Sequence, residues 1–389
     1  MQPSDVRGGE LNLLMVSGDA SIAEGRKGPF YYTLEGFSRW WLRVDVVVPR
    51  PASVANVRLF GNVFLHPSPV TKALQWRHIF ECGRALHAER RYALMTSHDY
   101  GWHYNGVGTW LLHRATGTPY VSEIHHVTGH PRAANFKEWL QGRATRFYVR
   151  TVRRQVAGFR VTNATELPAL LGRLGVPPDK IHVLHALYVD HEVFRPRQLP
   201  KKYDVMFCGR ADSNKGGDIL LRAVAQLAKS RPSLSVLMRT AGHEEGKWRR
   251  LAHRLGIASR LTWRTWVESP EDLASLYCMS RVLTCTSLSE GGPRVTVEAM
   301  ACSVPVISTR VGIMPELIEH GKSGLLVDWT PRSVAAAIEH ILDDHAAAAV
   351  IGAAGREGVG RFERAALIDA CASTYHRLAN MSAEHSATV

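Results

Sequence analysis

The fold is decided by one stretch, residues 289–308, which read S-E-G-G-P-R-V-T-V-E-A-M-A-C-S-V-P-V-I-S. The stretch holds two glutamates, Glu290 and Glu298, with seven residues between them. A short apolar run precedes it at 282–285, and another closes it at 304–308. This order predicts a strand, a glycine loop, a helix and a second strand, which together form a parallel crossover unit of an α/β domain.

The turn formed by Gly291, Gly292 and Pro293 opens the predicted helix. We expect Pro293 at the first helical position, where a missing N–H costs nothing. The N–H groups of the first turn, together with the helix dipole, suit phosphate oxygens. Glu290 can reach a ligand from the loop and Glu298 from inside the helix, and carboxylates are strong acceptors for paired sugar hydroxyls. The pattern therefore favours a nucleotide sugar, although an ordinary amphipathic helix with incidental glutamates is the plain alternative.

The stretch resembles the E-x7-E signature of retaining GT-B glycosyltransferases of family four, along the whole string E-G-G-P-R-V-x-V-E-A-M-A-C-x-V-P-V-I-S-T. The resemblance implies an α/β protein with the GT-B fold: two doubly wound Rossmann-like domains face each other across a cleft, and a C-terminal helix, here 364–382, returns to the first domain. It implies that Glu290 binds donor-sugar hydroxyls and Glu298 binds ribose hydroxyls. The family often has a bulky residue at the position of Gly292, and Arg294 adds a charge near the donor. The identity of the donor is therefore left open.

The whole chain fits two domains, because 389 residues exceed what one core usually supports. Strands and helices alternate along both halves, which indicates parallel doubly wound sheets. A Pro-rich, basic segment at 190–202 has the composition of a linker. We predict domains at 1–195 and 196–365 and a C-terminal helical segment at 366–389. The predicted strands are 11–16, 44–48, 92–96, 120–124, 159–162 and 181–184 in the first half, and 203–207, 235–239, 260–264, 282–285, 304–308 and 324–327 in the second.

Two cations begin the second predicted domain, where a strand leads to Gly209, Arg210 and, five residues later, Lys215. Fixed cations near a helix start can clamp a diphosphate and stabilise a departing nucleoside diphosphate without metal. The string resembles the family's G-R-x-x-x-x-K-G pattern, which carries Arg210 and Lys215 into that role. Two solvated surface cations are the alternative. No D-x-D and no metal-ligand spacing occurs in the sequence, so we expect no metal or other cofactor.

Two histidines, His125 and His126, follow the predicted strand at 120–124. The resemblance implies that a histidine here contacts the sugar at the reacting centre; His125 matches by register and His126 is the fallback. A structural hydrogen-bonding role is the alternative. Gly28, between the first strand and a predicted helix at 31–41, corresponds loosely to the family's glycine-rich loop, and a flexible turn explains it equally well.

The net charge of +13 is concentrated in the first half, where residues 1–200 hold 25 Lys and Arg against 15 Asp and Glu, giving +10. Such an excess implies an acidic partner. A helix predicted at 135–155 carries five arginines between 143 and 154 with aromatic residues among them, which suits an anionic membrane surface. A helix with one solvated basic face is the alternative. The expected partners are a nucleotide-sugar donor and a sugar or lipid-linked acceptor.

The sequence predicts a cytoplasmic protein that associates peripherally with the inner membrane face. It has no apolar run of 18 residues, residues 1–10 lack a secretory segment, and six scattered cysteines form no disulfide pattern. Two rival functions share some features: a GT-B epimerase of nucleotide sugars, and a nucleic-acid-binding protein. The second is disfavoured because the basic residues form no known nucleic-acid-binding module. Without a Walker loop or a G-x-S-x-G elbow, kinase and hydrolase functions are disfavoured as well.

Overall fold

The computed structural model describes residues 10–265 and 267–387, with side chains described through residue 381. Residues 1–9, on which the expectation of no secretory segment mainly rests, lie outside this range, as do 388–389 of the predicted C-terminal segment. None of the helices in the described part of the chain combines the length and hydropathy that a membrane span needs.

The first domain is built on an eight-stranded sheet. The parallel strands are mostly buried on both faces and rich in Val, Leu and Ile, which is typical of a sheet covered by helices on both sides. Among the described strands of this sheet, only β3 and β4 pair antiparallel. The strands are β1 Asn12–Val16, β2 Arg43–Val48, β3 Arg58–Leu59, β4 Val63–Pro67, β5 Leu94–His98, β6 Tyr120–Ile124, β7 Gly158–Val161 and β8 Ile181–Val183, in the spatial order β3-β4-β2-β1-β5-β6-β7-β8.

The second domain has a six-stranded sheet in which every described pairing is parallel. Its strands are β9 Tyr203–Arg210, β10 Val236–Ala241, β11 Leu261–Arg264, β12 Ser280–Cys285, β13 Val306–Thr309 and β14 Leu325–Val327, in the order β11-β10-β9-β12-β13-β14. The order reverses at the centre, between β9 and β12. Ligands bind at such a switch point, beyond the carboxyl ends of the strands.

The helices cover the two sheets. The first domain carries α1 Pro29–Phe37, α2 Gln75–Glu89, α3 Tyr104–Thr116, α4 Phe136–Val152 and α5 Glu166–Arg173. The second carries α6 Gly217–Leu227, α7 Glu245–Arg254, α8 Pro270–Cys278, α9 Arg294–Ala301, α10 Met314–Leu317, α11 Pro331–Asp343 and α12 His345–Val359. Side chains of Asn135, Ser269, Thr330 and Asp344 cap four of them by accepting an N–H of the first turn.

The last helix, α13 Arg364–Ala387, returns to the first domain as the sequence predicted. Tyr375 on this helix is fully buried and its ring meets Phe37 of α1 edge-on, with centroids 5.8 Å apart. Trp40 donates its indole N–H to Asp369 at 3.2 Å. The GT-B architecture expected from the sequence is therefore confirmed.

All twelve predicted strands occur in the structure, within one to three residues at either end. Two strands of the first domain, β3 and β4, were not predicted. A short 3-10 turn at Lys72–Leu74 leads directly into α2. The helix predicted at 135–155 is α4, and the one predicted at 31–41 is α1, which begins two residues earlier.

Candidate active site

The carboxyl ends of β6 and β7 in the first sheet face the loop that follows β12 in the second. A cavity of about 220 Å³ lies between them. Its lining includes five residues that the sequence had selected: His125, Glu290, Gly291, Gly292 and Arg294. His126, the fallback histidine, also lines it, and the remaining lining residues are Thr162, Ala186 and Leu187. In the structure the linker between the two sheets comprises residues 184–202, from the end of β8 to the start of β9. The cleft thus brings together residues of the first domain, this linker and the second domain.

At the glycine turn the two domains approach each other closely. A Cβ added at Gly291 would lie 1.8 Å from the His125 carbonyl oxygen and 2.9 Å from the Thr162 hydroxyl. A Cβ at Gly292 would lie 2.4 Å from a methyl carbon of Leu187. The space left by Gly292, where the family often has a bulky residue, is therefore filled by Leu187 from the linker.

The helix after this turn begins one residue later than predicted. Pro293 is the N-cap of α9 rather than its first helical residue, because its ψ of 106° is extended. Its carbonyl accepts the backbone N–H of Thr296 at 3.0 Å and the Thr296 hydroxyl at 2.6 Å. The N-terminus of α9 still points to the cleft from Arg294 onward, so the favourable end of its dipole faces any anion bound there.

Lys215 and Glu290 form an ion pair, although 75 residues separate them in the chain. Lys215 ends a 3-10 turn, Ser213–Lys215, after β9, and Glu290 follows β12, the neighbouring strand. Both side chains are mostly buried, with 18% and 15% of their surface exposed. Ser287 donates its hydroxyl to the same Glu290 oxygen at 3.2 Å. The predicted diphosphate cation and the predicted sugar carboxylate are thus immediate neighbours.

Arg210 lies at the end of β9 with its side chain 77% exposed, and its guanidinium is 3.3 Å from the carboxylate of Asp212. Its charge nevertheless reaches the cleft. Burial lowers the pKa of His126, while Glu290 opposes this shift and the cations Lys215 and Arg210 add to it. Gly209, inside β9 opposite Thr240, does not line the cavity, so it contributes to the strand rather than to the cleft surface.

Glu298 projects from the second turn of α9 and is 7% exposed. Tyr277 at the end of α8 donates its hydroxyl to a Glu298 oxygen at 2.9 Å. Burial raises the pKa of Glu298 to about 7, against the lowering effects of Arg294 and of the Tyr277 hydrogen bond. The guanidinium of Arg294 also lies over the ring of Tyr188, 4.7 Å from its centroid. Glu298 can therefore change its charge near neutral pH.

Both histidines after β6 border the cleft. The ring of His125 packs against His98 with centroids 4.4 Å apart, and its Nε2 lies 3.6 Å from a Glu123 oxygen. Burial lowers the pKa of both His125 and His126, which keeps the rings neutral at neutral pH. A neutral imidazole offers one donor and one acceptor, which suits sugar hydroxyls. His126 is the ring nearer to the charges of Lys215 and Glu290.

A second cavity, of about 240 Å³, meets the first at His125 and Ala186. Its walls come from the β1–α1 loop, the linker and α13, and they include Phe30, Tyr188 and Ile368. Gly28 is the N-cap of α1, one residue before the lining residue Pro29, and has no neighbouring atom within 4 Å of an added Cβ. Gly28 thus borders the second cavity on the side of the first domain and does not approach the charged pair of Lys215 and Glu290.

No group of three or more His, Cys, Asp or Glu side chains within the described ranges is placed to hold a metal ion. The arrangement offers instead two cations, a helix N-terminus and neutral histidines beside two carboxylates. These groups can bind a diphosphate and sugar hydroxyls together.

Two family models match the chain. The model "Glycosyl transferases group 1" matches residues 190–358, and "Glycosyl transferase 4-like domain" matches residues 30–186. The chain belongs to the family-four, group 1 glycosyltransferases. Its two halves match the two domains of these enzymes in the order that the GT-B fold requires.

Among curated relatives, the D-inositol 3-phosphate glycosyltransferase of Mycobacterium marinum is 32% identical over 75% of this chain and 65% of its own length. The one from Segniliparus rotundus is 32% identical over 51% of this chain and 47% of its own length. The chain therefore matches only about half to two thirds of these relatives.

Among solved structures, sucrose-phosphate synthase from Thermosynechococcus elongatus has a TM-score of 0.80 at 22% identity and covers 95% of this chain and 99% of its own. HepE from Anabaena, solved in complex with UDP and glucose, has a TM-score of 0.74 at 17% identity, covering 94% and 99%. At these identities the likeness establishes the fold.

Several residues of this glycosyltransferase were missed by the sequence reasoning. Glu123, in the middle of buried β6, accepts a hydrogen bond from Tyr375 of α13 and lies 3.4 Å from Arg160 of β7. Burial acts to raise the pKa of Glu123, but Arg160, His125 and Tyr375 hold it well below its usual range. A carboxylate inside a buried strand, two residues before His125, was the available signal. Tyr277 had none, because its contact with Glu298 depends on how α8 packs.

Proposed function

We propose that this glycosyltransferase moves a sugar from a nucleoside-diphosphate sugar to an acceptor hydroxyl with retention of anomeric configuration and without a metal ion. The observation that carries the proposal is the cluster at the glycine turn. Lys215, Glu290 and two neutral histidines meet at the N-terminus of α9, in the cleft between the domains. Cations for the diphosphate and acceptors for the sugar therefore lie within one binding site.

In the proposed reaction the bond between the anomeric carbon and the diphosphate oxygen breaks, and its electron pair leaves with the diphosphate. The acceptor oxygen forms a new bond to the same carbon from the same face, and its proton passes to the departing diphosphate. Lys215, Arg210 and the α9 N-terminus stabilise the charge on the leaving group, each preorganised donor contributing about 3 kcal/mol. No side chain forms a covalent bond to the sugar.

In this proposal Glu290 and Glu298 bind different parts of the donor. Glu290 accepts hydrogen bonds from the sugar hydroxyls, and Lys215, its partner in the ion pair, turns toward the diphosphate. Glu298 accepts the ribose hydroxyls at the other end of the turn, next to Arg294. Tyr277 holds one Glu298 oxygen, which leaves the other oxygen to accept the ribose hydroxyls.

The proposal is tested by a screen of UDP-, GDP- and ADP-sugars for release of free nucleoside diphosphate, with and without EDTA. A transferase releases the diphosphate from one donor class, faster with acceptor present, and keeps its activity in EDTA. An epimerase would change the sugar with no such dependence on acceptor. Binding of a generic nucleic-acid duplex in the low micromolar range, lost with salt, would instead favour the nucleic-acid function.

The acceptor side of the proposal rests on one face of α4. Four large apolar side chains are exposed there: Phe136 at 74%, Trp139 at 47%, Leu140 at 39% and Phe147 at 74%. The rings of Phe136 and Trp139 stack with centroids 5.4 Å apart. Soluble surfaces rarely leave several large apolar groups adjacent and unburied, and such groups mark interaction sites.

Arginines surround these apolar groups. Burial lowers the pKa of Arg146, and the positive charges of Arg143, Arg150 and Arg173 lower it further. Among the described residues, no carboxylate forms an ion pair with the five arginines of residues 143–154. The positive charge on this face is therefore not neutralised within the protein, and aromatic and basic groups on one helix face suit the surface of an anionic bilayer.

The segment that leads into α4 contacts the second domain, which supports a role of this face on the acceptor side. The backbone N–H of Arg132, four residues before α4, donates to the carbonyl of Leu288 in the second domain at 3.2 Å. A membrane held by α4 would then lie near the segment of the first domain that contacts the loop after β12. We propose an acceptor at the inner membrane leaflet, such as a lipid-linked sugar, reached by peripheral association.

This part is tested by sedimentation with vesicles of acidic lipid at low salt. The protein should sediment with the vesicles and be released by salt, because each cation near such a surface contributes about 1 kcal/mol. Replacing Arg146, Arg150, Arg153 and Arg154 by Ser should abolish binding and leave donor hydrolysis intact. A matched control replaces four exposed cations of α7 in the second domain, namely Lys247, Arg249, Arg250 and Arg254, and should still bind.

A phosphorylated polyol is the second candidate acceptor, since the relatives are named for inositol 3-phosphate. A cavity of about 360 Å³ in the first domain is lined by Arg50, Lys72, Tyr100 and Tyr104, a set that can bind a phosphate. Burial lowers the pKa of Lys72, and the nearby charge of Lys137 adds to this. If the protein ignores acidic vesicles, transfer to inositol 3-phosphate that is weakened by Lys72→Ala would establish this second acceptor.

A further inference from the structure

Two glutamates link the domains reciprocally, outside the cleft itself. Glu316 of α10, in the second domain, accepts the backbone N–H groups of Ala164 at 2.9 Å and Thr165 at 2.8 Å. It also accepts the Thr165 hydroxyl at 2.6 Å. In the opposite direction, Glu166 of α5, in the first domain, accepts the backbone N–H of Gly312 at 3.0 Å. Each carboxylate thus satisfies donors at the helix start of the other domain.

Further backbone contacts connect these two glutamates to the glycine turn. The N–H of Ile313, next to Gly312, donates to the Gly291 carbonyl at 3.1 Å. A Cβ on Gly312 would lie 2.2 Å from that carbonyl oxygen, so the two backbones are in direct contact. In this segment Ile313 therefore binds the Gly291 carbonyl, and its neighbour Gly312 donates to Glu166.

The first domain completes the connection. Thr162 donates its hydroxyl to the His125 carbonyl at 2.7 Å. Ala164, whose backbone N–H donates to Glu316, lies only two residues further along the chain. His185 of the linker contacts the Thr162 carbonyl through Nδ1 at 2.9 Å. One short segment, 162–166, thus fixes His125 on one side and α10 on the other.

We propose that Glu166 and Glu316 are positioning residues for the transfer reaction, which set the separation between His125 and Gly291 without touching the substrate. Together with Thr165 they form a latch that keeps the cleft at its working width. The proposal rests on the proposed function only where it concerns the rate of transfer. The effect of the two glutamates on the arrangement of the domains does not depend on which reaction the protein catalyses.

Reacting groups displaced by about 1 Å can lose roughly 10²-fold in rate. Glu316→Ala and the double variant Glu166→Ala/Glu316→Ala should therefore lower kcat by about that factor. KM for the nucleotide sugar should change much less, because the proposed contacts to its nucleotide part lie within the second domain. Glu316→Gln, which keeps one acceptor oxygen, should recover part of the rate. Because a smaller folded fraction would also lower the apparent kcat at unchanged KM, the rate is expressed per nucleotide-binding site titrated in the same preparation.

Small-angle X-ray scattering provides the second measurement. The radius of gyration should increase for Glu316→Ala and further for the double variant, while the far-UV circular dichroism of both variants stays that of the wild type. Glu319→Ala is the matched control, since Glu319 lies just beyond α10, is 66% exposed and pairs with Lys322 of its own domain. It should resemble the wild type in both measurements.

An unchanged radius of gyration in the double variant overturns the latch, whatever the enzyme does. A raised KM with an unchanged radius of gyration and kcat would show that Glu316 binds the donor directly, which also overturns it. If the wild type turns over none of the nucleotide sugars, the proposed function fails while scattering still decides the latch.

Discussion

Gly291→Ala offers a sharp test of how closely the domains must approach. The added Cβ would lie 1.8 Å from the His125 carbonyl oxygen, whereas real Cβ atoms keep at least 3.0 Å from such atoms. The two backbones must therefore separate by about 1.2 Å. Both atoms in this contact are backbone-bound, so no flexible side chain can move aside. We expect the transfer rate to fall by about 10²-fold, the loss typical of a displacement of roughly 1 Å at a reacting centre.

The assay compares transfer rate with nucleotide affinity, measured by calorimetry, in the same preparation. Affinity should fall less than the rate, because the proposed nucleotide contacts lie within the second domain. Gly172→Ala in α5 is the matched control, since no atom lies within 4 Å of its added Cβ. It should be neutral or stabilising by about 0.5–1 kcal/mol, since alanine favours a helix over glycine. A Gly291→Ala enzyme with wild-type transfer rate would show that the close approach is not needed.

Three further predictions concern the charged groups. Glu298→Ala should mainly weaken nucleotide binding, while Glu290→Ala should mainly lower turnover, and a wild-type rate in either folded variant would remove that residue from the site. Arg210→Ala should raise the barrier by about 3 kcal/mol in an enzyme that is indifferent to EDTA; loss in EDTA that is restored by manganese or magnesium would contradict this. Because the pKa of Glu298 is raised to about 7, its ionised form, which accepts the ribose hydroxyls, should dominate only above that pH, so nucleotide affinity should increase from pH 6 to pH 8. Glu298→Gln should remove that increase, and a wild type with the same pH profile as Glu298→Gln would refute the assignment. The same raised pKa means that Glu298 favours folding below about pH 4.5 and destabilises the protein progressively as pH increases toward 7.

All six strands of the second domain were predicted from the sequence, because they are short apolar runs buried on both faces and separated by helices. The first domain was harder. Its strands β3 and β4 form a small hairpin around Phe60 and Gly61, both at positive φ, and neither strand has a strong pattern. Helix α3 contains Gly106 and Gly108, which lower helix propensity. Packing requires them, because added Cβ atoms would lie 2.4 Å from the Tyr148 hydroxyl and 2.6 Å from the Trp76 carbonyl oxygen.

The candidate site was predictable where the chemistry lies within one segment, as in the glycine turn and its two glutamates. Contacts between distant segments were not. The ion pair of Lys215 with Glu290 spans 75 residues, and the contact of Glu316 with Thr165 spans 151. Such pairs depend on strand order and on the angle between the domains, which local patterns do not encode. The position of Pro293 was missed by one residue because a proline suits both the N-cap and the first turn of a helix.

The central claim is that the cleft transfers a donor sugar to an acceptor on the same face of the anomeric carbon. It is tested most directly by following the reaction of the turned-over nucleotide sugar by proton NMR, observing the anomeric signal of the first product before any equilibration. With UDP-α-glucose as donor, the proposal predicts an α-linked product that appears together with free UDP. A β-linked first product would show inversion and contradict it.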